Sequence, residues 1–334
     1  MTEWKVNKSS PENMKNSSRK NPLNSRSVFI LVPSPYPTGP IKGAIALANA
    51  LALSCRVTLV FLKDGPGAST PLAPSVKVVS LATISMGLYP KLRVYRRLLM
   101  NAGGRSVVRS ISMCLSADLL NRFCRSCAVT ICSVRGNLFK NYKFDYGFLG
   151  GSIAYLHLRL LASFDHVIAV TDAMSRQIRK ITTTHSKIIG NFVDERFLDR
   201  YRVDVSSCKA DFRFVFVGSL SARKQPQVVL EAFEILLRQG MEIQLDIIGG
   251  GPLKSSLEER VFNSGYDEKV RIHGHLSDPY PLIARADVFV LPSASEGVSR
   301  AAMEALYLGV PCVLRNVDGN VDLLRSHESG AVFN

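Results

Sequence analysis

DVFVLPSASEGVSRAAMEALYLGVPCV, residues 287–313, reads as strand, loop, helix and strand in that order. Val288–Leu291 is a short, β-branched apolar run, the kind that is buried on both faces of a parallel sheet. Pro292 and the serines after it stop the strand. Ala301, Ala302, Met303, Ala305, Leu306 and Leu308 are helix formers or apolar residues and predict a helix beginning near Gly297 or Val298. Gly309 and Pro311 end that helix before a second buried strand, Pro311 to Leu314. Ligands of such a unit sit beyond the carboxyl ends of the strands, so residues 293–297 lie on the ligand side.

Two carboxylates mark the loop and the helix. Glu296 falls at their junction and Glu304 follows eight residues later. On a continuous helix that offset is about 80° past two full turns and roughly 12 Å along the axis, a span that one nucleotide-sugar covers. A plainer reading makes Glu296 a charge favoured by the helix macrodipole and Glu304 a solvated surface residue. The ligand reading is favoured because Ala302, Met303, Ala305 and Leu306 surround Glu304, a costly setting for a carboxylate with nothing to bind.

The segment resembles the Glu-x7-Glu signature of the retaining glycosyltransferases of the large GT4 family (glycosyl transferases group 1). Pro292-Ser-x-x-Glu-Gly297 before it and Gly309-x-Pro-x-Val313 after it match as well. The resemblance runs from about Val28 and is strongest from Phe214 to Phe333. It implies an α/β protein of GT-B fold, two Rossmann-like domains facing a cleft. The expected layout is a disordered polar tail at residues 1–26, an acceptor domain at 27–205 and a nucleotide-sugar domain at 206–334. Family members continue with further helices, so the second domain is expected to be truncated at Asn334.

At 334 residues the chain has room for about two domains. No apolar run approaches the roughly 18 residues of a membrane span, and residues 1–26 are Asn-, Ser- and Lys-rich without the apolar core of a signal peptide. Seven scattered cysteines suit a reducing cytoplasm, and Cys124-x-x-Cys127 lacks a second pair or a His cluster to complete a metal site. The formal net charge is +15. Twelve basic residues against Asp118 and Asp145 fall between Ser85 and Leu160, an excess that attracts anions. Within it, residues 88–100 interleave Leu, Val and Tyr with Lys and Arg. That pattern fits an interfacial helix on an anionic membrane face and equally a core-packed helix with a solvated basic face. No recognition motif accompanies the charge, which argues against nucleic acid.

In chain order, Val28–Val32 is a buried strand, residues 33–40 a Pro- and Gly-rich loop, and Ile41–Leu53 a helix leading to a strand at Val57–Leu62. Gly39, Lys42 and Gly43 sit where free helix N–H groups favour a phosphate, although Pro40 removes one donor from the Gly-Gly pair common in the family. A strand at 128–134 leads into Arg135-Gly136-Asn137. The family commonly carries a His there, and Ser133, Val134 and Arg135 replace it. Arg135 and Asn137 suit a phosphate or an acidic acceptor, and Asn141-Tyr142 with Asp145-Tyr146-Gly147 read as a polar, aromatic acceptor loop. His157 reads as a packing residue. Phe164–Val170 is a strand, Thr171 caps a helix to about Ile181, and residues 188–194 resemble the family's run into the interdomain linker.

The second half opens with a strand at Phe214–Val217, then Gly218-Ser219-Leu220-Ser221-Ala222-Arg223-Lys224. Arg223 and Lys224 suit a diphosphate, because cations at a helix start otherwise oppose the dipole. The family's Arg after the Gly is Ser219 here. Ile243–Ile248 ends in Gly249-Gly250-Gly251-Pro252. His273 lies mid-strand and reads as structural, while Gly274 and His275 are expected near the nucleotide base. A helix is expected at Val321–His327 and a last strand at Gly330–Phe333.

By resemblance, Glu304 takes the ribose hydroxyls, Arg223 and Lys224 the diphosphate, and Glu296 acts at the transferred sugar. Gly297 and Val298 offer N–H groups to the phosphates, and Gly218 lets the chain turn closely. The partners implied are a nucleotide-diphosphate-sugar donor and a glycan or polyprenyl-diphosphate-linked acceptor at the inner membrane face, in bacterial surface polysaccharide assembly. No cofactor and no metal is expected, since the chain has no Asp-x-Asp. Two rivals stand beside this reading. One is a truncated, inactive protein that binds nucleotide or membrane without turnover. The other is a nucleotide-sugar epimerase, disfavoured by the Glu-x7-Glu spacing.

Overall fold

A computed structural model of the chain describes residues 26–36, 38–65, 71–84, 87–202, 211–317, 319–324 and 326–334. The polar tail up to residue 25 and the domain boundary expected near residue 205 lie outside them.

Two sheets organise the chain. The first contains β1 (Ser27–Val32), β2 (Arg56–Phe61), β3 (Lys77–Ser80), β4 (Val108–Ser112), β5 (Val129–Val134), β6 (His166–Ala169) and β7 (Ser186–Ile188), in the order β3-β2-β1-β4-β5-β6-β7. The second contains β8 (Phe212–Val217), β9 (Ile243–Ile248), β10 (Val270–Gly274), β11 (Val288–Leu291), β12 (Cys312–Arg315) and β13 (Gly330–Phe333), in the order β10-β9-β8-β11-β12-β13. Both begin at a central strand and wind outward one way and then the other. This is the doubly wound Rossmann-like pattern, which leaves a crevice at the carboxyl ends where the strand order reverses. Two compact units divide the chain: Met1–Val134 with Leu160–Ile168, and Arg135–Arg159 with Ala169–Asn334.

β1 shows why the central strands read as unbroken apolar runs. All six of its residues are buried. Val28, Ile30 and Val32 face the cluster that holds Ile41 and Ile45, while Phe29 and Leu31 face Tyr95 and Leu99 on the other side. Each such side chain contributes about 1.5–3 kcal/mol of burial.

The basic run forms the helix Leu88–Asn101. Its apolar residues Tyr95 and Leu99 are fully buried in the core, and the Tyr95 hydroxyl lies 2.6 Å from Ser110 Oγ. Arg93, Arg96 and Arg97 form a solvated face, and Leu88, Tyr89 and Met100 at the two ends of the helix are exposed as well. Part of the surrounding charge is also paired. Asp165 accepts from Arg105 Nη2 at 3.0 Å, Arg125 Nε at 2.8 Å, Thr130 N at 2.9 Å and Thr130 Oγ1 at 3.0 Å. Partial burial pushes this carboxyl up, but the Arg and Thr donors outweigh it and hold it far below its ordinary range. Cys124, Cys127 and Cys132 are buried, and burial pushes the Cys124 thiol up to about 12. Among the described residues no group of His, Cys, Asp and Glu is arranged to hold a metal, and no helix is long and apolar enough to cross a membrane.

Several boundaries differ from the sequence reading. The first helix spans Gly39–Leu51, so Gly39, Lys42 and Gly43 all lie inside it, and Gly43 is buried against the core. The helix after β11 spans Arg300–Tyr307 rather than starting at Gly297 or Val298, because the Ser299 hydroxyl accepts from Ala302 N and caps it there. Residues 138–146 are a helix rather than an acceptor loop, because Asn137 caps it by accepting from Lys140 N. In place of a helix at 321–327 there are two three-residue turns, Val321–Leu323 and His327–Ser329.

Candidate active site

The carboxyl ends of β8, β9, β10 and β11 meet at one edge of the second sheet. Gly218 follows β8 and donates its N–H to Ile248 O at 3.0 Å, and Leu220 N bonds Gly250 O at 2.9 Å. Gly249 N bonds Gly274 O at 2.7 Å, so the triple-glycine turn ties the ends of β8 and β10 together. His275, beside Gly274, is exposed. His273 instead faces Asp246, with Nε2 2.6 Å from Oδ1, and Arg213 Nη1 donates to the other oxygen of that carboxylate at 3.0 Å. This is a structural network, as its mid-strand position implied.

After the turn at 218–224 the chain passes beneath the β11 loop. Ala294 N donates to Arg223 O at 2.8 Å, and Arg223 Nη1 donates to Ser295 O at 3.2 Å. Lys224 Nζ donates to Glu296 Oε1 in an ion pair whose side chains keep only 14% and 8% of their exposure. Burial pushes the Glu296 carboxyl up. The charges of Lys224 and Arg223, with the hydrogen bond from Lys224, more than reverse that, and the net shift is downward. Glu296 is therefore an anion in a nearly dry site.

Glu296 lies in the loop, ahead of the helix that starts at Arg300, so the helical relation expected between it and Glu304 does not hold. The loop is fixed instead by its neighbours. A Cβ on Gly297 would stand 2.0 Å from Arg135 O and 2.8 Å from Met174 Cε, so only glycine fits there. Arg135 Nη1 donates to Asn191 Oδ1 at 2.9 Å, and Asn191 Nδ2 donates to Val298 O at 3.3 Å. Ser295 Oγ donates to Asn141 Oδ1 at 3.1 Å. The structure thus brings Arg135 beside Gly297 and Val298. Asn137 is spent on its helix cap, and Gly39, Lys42 and Gly43 belong to the helix of the other unit.

Glu304 is buried inside its helix, with Arg300 Nη1 at 4.0 Å one turn earlier. Burial lowers the Arg300 guanidinium, and Glu304, Tyr280 and Asp194 oppose that shift. Burial raises the Tyr280 hydroxyl, and the adjacent Glu304 charge adds to the rise. Sequence reasoning missed Asn191, Ser295 and Arg300. Of these only Arg300 left a readable signal, the i,i+4 spacing to Glu304.

Comparison with known proteins supplies the class. The model of the family described as "Glycosyl transferases group 1" matches residues 199–334. That match takes in the whole of the second sheet, β8 to β13. The capsular polysaccharide biosynthesis glycosyltransferase CapM of Staphylococcus aureus is 26% identical over 180 residues, 50% of this chain and 47% of that protein. The UDP-Gal:alpha-D-GlcNAc-diphosphoundecaprenol alpha-1,3-galactosyltransferase of Escherichia coli is 30% identical over 122 residues, 36% of this chain and 32% of that protein. The chain therefore matches between a third and a half of the length of these curated relatives. Among solved structures, HepE of Anabaena in complex with UDP-glucose superposes with a TM-score of 0.72 at 16% identity, covering 92% of this chain and 85% of that one. The chain has the GT-B fold.

Proposed function

We infer that this protein is a glycosyltransferase that moves a hexose-type sugar from a nucleotide-diphosphate-sugar to a glycan or lipid-linked acceptor with retention, in bacterial surface polysaccharide assembly. The observation that carries the reading is the buried Lys224–Glu296 pair at the strand ends of the second sheet. A cation and an anion side by side there match the two halves of the donor. Lys224 and Arg223 neutralise the leaving diphosphate, which needs preorganised positive charge in a site without water. Glu296 accepts hydrogen bonds from hydroxyls of the transferred sugar, and the N–H groups of Gly297 and Val298 approach the phosphates. Glu304 takes the ribose hydroxyls from its helix, and Gly274 and His275 lie toward the base. Arg135 faces the acceptor side of the same loop. The diphosphate itself helps deprotonate the acceptor, and no metal is required.

A thermal-shift series with UDP-, GDP-, ADP- and dTDP-sugars, run beside Glu304→Ala, tests this. A donor at about 100 times its dissociation constant stabilises by roughly 2.7 kcal/mol, a clear rise in midpoint. One nucleotide should shift the wild type and not the variant, and product should form only with an acceptor present. Stabilisation without turnover on any acceptor favours an inactive binding protein, and turnover of donor without acceptor favours an epimerase.

A further inference from the structure

We propose that the helical hairpin at residues 138–159 docks the protein on an anionic lipid surface. The hairpin comprises the helix Leu138–Tyr146, the turn Gly147–Leu149 and the first part of the helix Gly150–Leu161. Its inner face is fully occupied by its own residues. Tyr142 and His157 stack with ring planes 7° apart, and the Tyr142 hydroxyl lies 2.7 Å from His157 Nδ1. Ala154 and Leu158 are buried with them. A Cβ on Gly150 would stand 2.2 Å from Tyr142 O, so the second helix starts hard against the first. The hairpin is a built unit, and what it leaves outside is not needed to hold it together.

What it leaves outside is apolar. Phe148 at the tip is 93% exposed, and Leu149 and Leu156 are 51% and 66% exposed. Phe144, Tyr146 and Tyr155 are exposed beside them. Large apolar side chains scattered singly on a surface are ordinary, but six exposed within residues 144–156 mark an interaction site. Lys140, Lys143 and Arg159 are exposed on the same hairpin, and Asp145 is its one acid. Exposed aromatic and aliphatic side chains interspersed with three cations against one acid suit the boundary of an anionic bilayer. The rings enter the headgroup boundary while Lys and Arg remain at the phosphates. The inference deepens the proposed function, because it brings a lipid-linked acceptor to the protein, but vesicle binding and donor binding are read by different experiments.

Flotation of the full chain with vesicles of equal parts phosphatidylglycerol and phosphatidylcholine, and with phosphatidylcholine alone, tests the proposal. The wild type should float with the mixed vesicles and do so less at high salt. Phe148→Ser/Leu149→Ser should lower partitioning by at least about tenfold, since two large apolar side chains are lost from the contact, with its melting midpoint and its nucleotide-induced shift unchanged. Phe148→Trp in a Trp4→Phe background should show a blue-shifted emission that brominated lipid quenches. No flotation of the wild type, wild-type flotation of the double variant, or an unshifted indole emission from the Phe148→Trp variant overturns the proposal. So does a change confined to the sedimentation coefficient, which would make the patch a contact between copies of this chain.

Discussion

Lys224 and Glu296, 72 residues apart in sequence, form a buried ion pair at the carboxyl ends of β8 and β11. Each neutralises the other while no donor is bound, so the diphosphate and the sugar compete with a bond already made. Lys224→Ala should leave a buried, unpaired carboxylate and lower stability by about 3 kcal/mol. Lys224→Met/Glu296→Gln should recover most of that loss while abolishing the nucleotide-induced shift. Urea unfolding of the two single variants and the double closes the cycle.

Gly297 and Gly39 should respond in opposite ways to alanine. At Gly297 the new methyl meets Arg135 O at 2.0 Å, so the loop must move, and donor binding and midpoint should both fall. At Gly39 nothing lies within 4 Å and the position is helical. Gly39→Ala should be neutral or stabilise by up to about 1 kcal/mol through the unfolded chain. A loss of donor or acceptor binding in Gly39→Ala, with stability intact, would restore a phosphate role to the first helix.

Acid should unfold the protein partly through two carboxyls. Asp165 and Glu296 both lie below their ordinary values when folded. Depressed carboxyls contribute stability that is present above the unfolded values near 4 and is lost as pH falls through the folded ones. Asp165→Asn should therefore lower the urea midpoint at pH 7 and flatten its decline between about pH 5 and 2. A variant whose acid limb parallels the wild type would show that the Arg105–Asp165–Arg125 network does not contribute.

Glu304→Ala should reduce stability even without nucleotide, because Arg300 is left buried beside Tyr280 with its nearest carboxylate gone. Its nucleotide-induced shift must be measured against its own unliganded midpoint. Arg300→Met/Glu304→Ala should regain stability but not donor binding. Recovery of donor binding in that double variant would remove Glu304 from the ribose site.

Much of this arrangement was legible from residue order. The strand at Val288–Leu291, the helix behind it and the closing strand at Gly330–Phe333 follow from apolar runs bounded by Pro and Gly. Such runs have no alternative to a sheet covered on both faces. The carboxylates at 296 and 304 and the cations at 223 and 224 stood out because charges in those settings are costly unless used. Asn191 left no such mark, because an amide in a loop is ordinary until it is seen bridging Arg135 to Val298. Nor did the exposed tip at Phe148, since its ring looks like any core residue in sequence.

Local order by itself determined the α/β alternation, the two doubly wound halves and the residue types at the strand ends, because periodicity, propensity and turn chemistry act over a few residues. Tertiary structure alone decided that Glu296 meets Lys224. It also decided that Gly297 is wedged against Arg135, that Tyr95 and Leu99 of the helix at 88–101 are turned inward, and that Phe148 and its apolar neighbours at 144–156 are left outside. Each of these depends on which surfaces the packed units bring within a few ångströms. Pairing energies at that range come from neighbours distant in sequence, and no local pattern encodes them.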